Sequence, residues 1–211
     1  MAIEIHGQNP GDNSWAKAEF FLSEDIGEKH YIPGNSLENV ALNIFNKCRM
    51  ETYMVIVYSL SAVKNDPDGT IVDVSNTPAV EFDLTKVNSA WRPLNYTVGG
   101  STYTCLVGVN PFEGCPTSME GKPVPILQAN ALKIPGADWG NELQGCTVTI
   151  SVKAYAIQAE LDGDYSSRIF QANADIEDAQ NSGNAAELAN AIDAKTRTVA
   201  NIVLEICGVI D

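Results

Sequence analysis

The chain has 211 residues, 45% of them hydrophobic, enough for one large domain or for one domain with a small appendage. With 27 acidic against 13 basic side chains and a formal net charge of -14, it offers no basic patch to neutralise phosphates, which argues against nucleic acid and anionic membrane surfaces as partners. No apolar run of about eighteen residues is present, so no membrane-spanning helix is expected.

The opening MAIEIHG lacks the charged, apolar and small-residue sections of a secretory signal, so the chain is either intracellular or carries Met1 in place of a cleaved leader. Ile3 and Ile5 alternate with Glu4 and His6, a strand too short to stand alone, followed by the polar linker GQNPGDNS. Lys17–Leu22 alternates again, with Ala18, Phe20 and Leu22 on one side. The turn Pro33-Gly34-Asn35 introduces Glu38–Asn46, where Val40, Leu42 and Ile44 face a core. Thr52–Ser61 is apolar on both faces and reads as a central strand, joined to the preceding one through Lys47–Glu51 as a hairpin. Lys64–Gly69, KNDPDG, is a turn by its chemistry.

Short strands are expected at Ile71–Val74, Val80–Leu84, Trp91–Thr97, Thr102–Val109 and Pro123–Gln128. A long one is expected at Cys146–Glu160. There Cys146, Val148, Ile150, Val152, Ala154 and Ala156 form a dry face, and Thr147, Thr149, Ser151, Lys153 and Tyr155 a mostly wet one. Close turn signals without crossover helices imply an antiparallel sandwich or barrel and exclude a parallel α/β sheet.

After Glu160 the composition turns to Ala, Asn and Asp. In Asn184–Cys207 the residues Leu188, Ile192, Val199, Ile202, Val203 and Ile206 fall at helical spacing, and Asn184 with Glu187 resembles a capping box. The fold class expected is therefore all-β, an antiparallel jelly-roll β-sandwich with a C-terminal helical addition. It divides into an N-terminal donor-strand segment and linker (1–15), the sandwich (16–160) and a helical extension packed on it (161–211).

The chain offers little catalytic chemistry. His6 and His30 stand in no HExxH pattern, and GxSxG, Walker and dinucleotide motifs are missing. The cysteines, Cys48, Cys105, Cys115, Cys146 and Cys207, show no zinc spacing; Cys105 and Cys115 flank a turn and could bridge on export, or stay as buried thiols. Asp66, Asp68 and Asp73 crowd one loop, and such oxygen ligands suit calcium, although the EF-hand spacing fails. Asp162 and Asp164 are a weaker pair of the same kind. Trp91 and Tyr103 read as core or rim packing.

Taken in order, Pro33-Gly34 before a strand, Asn46 at its end, the aromatic-rich strand that follows, Trp91 with Tyr96 and Tyr103, and Ala154, Ala156, Ile157 and Gln158 within AYAIQAE resemble the TasA and camelysin family, from Ala18 to Glu160. The resemblance implies a jelly roll, export through a dedicated signal peptidase to the cell surface or extracellular matrix, and assembly into biofilm-matrix fibres, with other matrix components as further partners. In such fibres the leading segment of one subunit completes the sheet of the next. Here Ala2–His6 would do so, with Ile3 and Ile5 filling the neighbour's groove.

The physics of that step stands apart from the family. A short alternating strand on a linker adds to an open sheet edge through main-chain hydrogen bonds, and a head-to-tail contact that does not close propagates into a filament. The expectation is a secreted, non-enzymatic homopolymer subunit with no catalytic residue and no cofactor other than calcium. A camelysin-like cell-surface metallopeptidase is the alternative, although no recognisable zinc set is present, and a monomeric module binding through Lys64–Gly69 is a third.

Overall fold

Through its first half, the stretch beginning at Thr52 carries apolar side chains on both faces, which suits a strand covered from two sides. The computed structural model describes residues 3–7, 18–23, 41–46, 48–65, 71–73, 81–82, 84–98, 101–114, 122–127, 132–133 and 146–210. Its strands are β1 (Ile3–Gly7), β2 (Ala18–Ser23), β3 (Ala41–Asn46), β4 (Thr52–Asn65), β5 (Ile71–Asp73), β6 (Glu81–Phe82), β7 (Trp91–Val98), β8 (Ser101–Gly108), β9 (Lys122–Leu127), β10 (Leu132–Lys133) and β11 (Cys146–Gln158). Two helices follow, α1 (Gly163–Ser182) and α2 (Ala185–Ile206).

The main sheet runs β1-β11-β4-β8-β7. β11 pairs with β4 along its whole length, from Cys146 opposite Lys64 to Gln158 opposite Thr52. The other edge of β4 is shared, its first half by β8 and its last residues by β5. A second sheet, β2-β3-β9, and a small β6-β10 pair complete the described strands.

Alternation along β4 sends Tyr53 and Val55 to one side of the main sheet and Met54 and Ile56 to the other, and all four are buried. On the Met54 side the second sheet is tied to the first. The Trp91 indole N–H donates to Pro125 O at 3.0 Å, the Asn88 N–H donates to Ile126 O at 2.9 Å, and Ile44, Val124 and Ile126 are buried. The Trp91 and Phe112 rings lie 4.7 Å apart on this side.

The Tyr53 side is covered by helices, and this overturns the expected all-β jelly roll with a helical addition. One buried cluster joins Tyr53, Val55, Leu94, Cys105, Val107, Tyr155 and Ile157 of the sheet to Ile169 of α1 and Val199, Ala200, Ile202, Val203 and Leu204 of α2. The helices are thus a layer of the core in a mixed α and β fold. The face of β11 read as wet is dry at its end, because Tyr155 lies 5% exposed in that cluster, whereas Lys153 stays exposed.

The helical hairpin is punctuated by local chemistry. Gly183 ends α1 in the left-handed conformation (φ 68°), which glycine adopts without a Cβ penalty, and its N–H donates to Gln180 O. Asn184 then caps α2 as expected, accepting from the Ala186 and Glu187 N–H groups. Glu187 completes the junction by accepting from Asn184 Nδ2 and Ser182 Oγ. Farther along, Arg168 of α1 donates to Glu205 of α2 at 3.0 Å.

A second correction concerns the hairpin expected from Glu38–Asn46 and Thr52–Ser61. β3 pairs with β2 and β9, not with β4, so the chain changes sheets between them. Asn46 explains the crossing. It is 2% exposed; its Nδ2 donates to Thr52 Oγ1 and Glu113 O, and its Oδ1 accepts from the Cys48 N–H. A buried amide whose bonds reach two other segments pins a bend that a two-strand hairpin would not need.

Candidate functional site

The segment holding Ile3 and Ile5 lies at the outer edge of the main sheet. β1 runs parallel to β11 of its own chain, with Ile3 opposite Ile150, Ile5 opposite Val152 and Gly7 opposite Ala154. One parallel pairing therefore occurs at this edge, its connection being the body of the protein itself and not the crossover helix of an α/β sheet. The strand has five residues, and residues 8–17 separate it from β2.

The calcium expectation cannot be placed in full, since Asp66 and Asp68 lie outside the described residues. Asp73 ends β5, opposite Val63. Among the described residues no group of three His, Cys, Asp or Glu side chains could hold a metal. Asp162 and Asp164 fall at the start of α1, where Asp162 is the N-cap residue without a side-chain cap bond. His6 lies in β1, and His30 lies outside the described residues. Tyr103 sits opposite Tyr96 in the β7–β8 pair, while Trp91 is buried core.

Cys48, Cys105 and Cys207 are free thiols, Cys48 and Cys105 buried, and Cys115 lies outside the described residues. Burial pushes the Cys105 thiol up to about 11 and the Cys207 thiol up to about 12. Both are therefore neutral and unreactive near pH 7, which fits core packing. Tyr58 is pushed up to about 12, chiefly by burial and secondarily by Cys105.

The feature that sequence reasoning missed is a cleft of about 380 Å³ where the helices meet the ends of β7 and β8. Arg92, Val109 and Asn110 line it from the sheet side, and Asn173, Gln180 and Lys195 from the helices. Lys195 is only 5% exposed, and its Nζ donates to Asn110 Oδ1 at 2.8 Å. Among the described residues no carboxylate lies within ion-pair distance of it. Burial depresses its pKa below the ordinary lysine value.

The sequence held a signal for this residue. The stripe Leu188, Ile192, Val199, Ile202 steps by four, seven and three, and Lys195 fills the gap at the helical position between Ile192 and Val199. A lysine on the buried row of an amphipathic helix is either costly or useful.

Among the described residues no helix is long and apolar enough to cross a membrane. No family model, curated protein or solved structure matches the chain.

Proposed function

We propose that the chain is a non-enzymatic structural subunit that assembles head to tail by exchanging β1 between copies, as in an extracellular fibre. The observation that carries this is the position of β1: a five-residue strand at the margin of the main sheet, hydrogen-bonded among the described strands to β11. The extracellular setting rests on the resemblance to the TasA and camelysin proteins.

The pairing within one chain sets the terms of assembly. A strand that closes its own sheet competes with the same strand from a neighbour, since the two states make the same hydrogen bonds and differ in the linker and in concentration. Residues 8–17 can span at most about 35 Å when extended, and that reach bounds how far β1 could be passed to an adjoining copy. Withdrawing β1 exposes the β11 edge from Ile150 to Ala154, and an open edge of this kind recruits another strand.

Electron microscopy and sedimentation of the concentrated protein, with and without residues 1–7, test this. Filaments should form from the whole chain and be lost on the deletion. A monomer at all concentrations, or filaments indifferent to the deletion, would refute it.

A further inference from the structure

The cleft beside α2 is unlike the rest of the molecule in charge. Acidic residues outnumber basic ones by 27 to 13 over the chain, yet the described residues lining the cleft include Arg92 and Lys195 and not one carboxylate. Lys195 is buried against a neutral amide oxygen, an arrangement that leaves the cost of desolvating an ammonium only partly compensated. A ligand carrying a negative charge would supply the missing partner.

The remaining wall narrows the ligand class. Ala90, Val109, Ile176 and Ile192 give it an apolar part, and Asn173 and Gln180 offer amide donors. Its volume of about 380 Å³ falls at the lower end of pockets that hold small organic molecules, roughly 300–1,000 Å³. A single guanidinium fork matches a planar carboxylate in two-point contact, with the ammonium as a second point charge. The chain's charge of -14 penalises a dianion such as phosphate more than a monoanion.

We propose that the cleft between the α1–α2 pair and the ends of β7 and β8 binds a small organic monocarboxylate, its carboxylate held by Arg92 and Lys195 and its carbon chain lying against Ile176 and Ile192. The site is independent of β1, so it stands or falls apart from fibre assembly.

Isothermal titration of the full chain with hexanoate, acetate, hexylamine and inorganic phosphate tests this, alongside the variants Arg92→Gln and Lys195→Met. Hexanoate should bind more tightly than acetate and phosphate, and hexylamine should not compete with it. Each variant should weaken hexanoate at least about tenfold, the usual scale for losing a charge-assisted contact. Lys195→Met should keep or raise Tm, because a buried charge held by one neutral partner gives way to an apolar chain of similar length.

The proposal is overturned by absence of hexanoate binding, by phosphate binding more tightly than hexanoate, or by variants that retain full affinity. A marked fall in Tm for Lys195→Met would make the lysine a clamp between α2 and Asn110 instead. Should that variant fail to fold, Arg92→Gln, at an exposed position, decides the matter through its affinity alone.

Discussion

Replacing Ile202 with alanine tests whether the helices belong to the core. Ile202 is 1% exposed and lies in the cluster shared by α2 and the main sheet. The change removes three carbons at about 0.8 kcal/mol each, and the cavity left behind brings the expected loss to about 3–4 kcal/mol. With a urea slope of about 2 kcal/mol/M, the midpoint should fall by about 1.5–2 M.

The two halves of the fold can be followed separately in this experiment. Circular dichroism at 222 nm reports chiefly on α1 and α2. Tryptophan emission reports elsewhere, since no tryptophan falls within the sequence of α1 or α2 and Trp91 lies in β7. If the helices are a layer of the core, both signals shift together in the variant. A 222 nm transition that moves while the tryptophan transition stays in place would show a detachable tail and refute the reasoning.

Four further outcomes follow from particular contacts. Asn46→Ala should cost about 3 kcal/mol in urea unfolding, because it removes three hydrogen bonds from a buried site and leaves Cys48 N–H and Glu113 O without this partner. Gly114→Ala should cost about 1–3 kcal/mol, since a Cβ there would meet the backbone of Arg49 and, at 2.8 Å, the Met50 carbonyl carbon, neither of which can rotate away. Glu205→Gln should cost less than about 1 kcal/mol, its partner Arg168 being partly exposed. Stability should also fall as pH rises from about 9 toward 11, because Cys105 titrates near 9.0 unfolded and about 11 folded, so the native state holds the extra proton through that window. Lys195, depressed by burial, acts in the opposite direction, so the test compares the wild type with Cys105→Ala, whose stability should decline less steeply over that range.

Much of the sheet was legible because its pattern is local. The two-sided apolar run after Thr52 and the alternation of Cys146–Glu160 located β4 and β11, which pair along the whole of β11. The α2 start was legible in Asn184 and Glu187. The extension over 161–211 was expected to be helical, but the bounds of α1 were not marked by an apolar stripe, because two of its three buried residues, Ala172 and Ala179 beside Ile169, are alanines, which carry little hydrophobic signal. Phe170, the residue that a hydropathy reading would turn inward, is 75% exposed.

Which strands share a sheet was likewise hidden. Asn46 reads as an ordinary polar residue at a strand end, and only its bonds to Thr52 and Glu113 reveal that the chain changes sheets there. The face of β11 ending in Tyr155 looked wet because tyrosine and lysine alternate with threonine and serine; the covering helix lies far along the chain, beyond any local pattern. The cleft combines Arg92, Asn110 and Lys195 from distant segments, so only the single lysine on the apolar stripe of α2 was available as a clue.

The most direct test of strand exchange mixes two labelled copies. One carries Glu4→Cys in nitrogen-15 protein, the other Ser151→Cys in unlabelled protein, positions that face each other in the β1–β11 register. After assembly and mild oxidation, peptide mass spectrometry should find the two positions joined across labelled and unlabelled chains. If positions 4 and 151 join only when both substitutions sit on one chain, β1 stays at home and the assembly account is wrong.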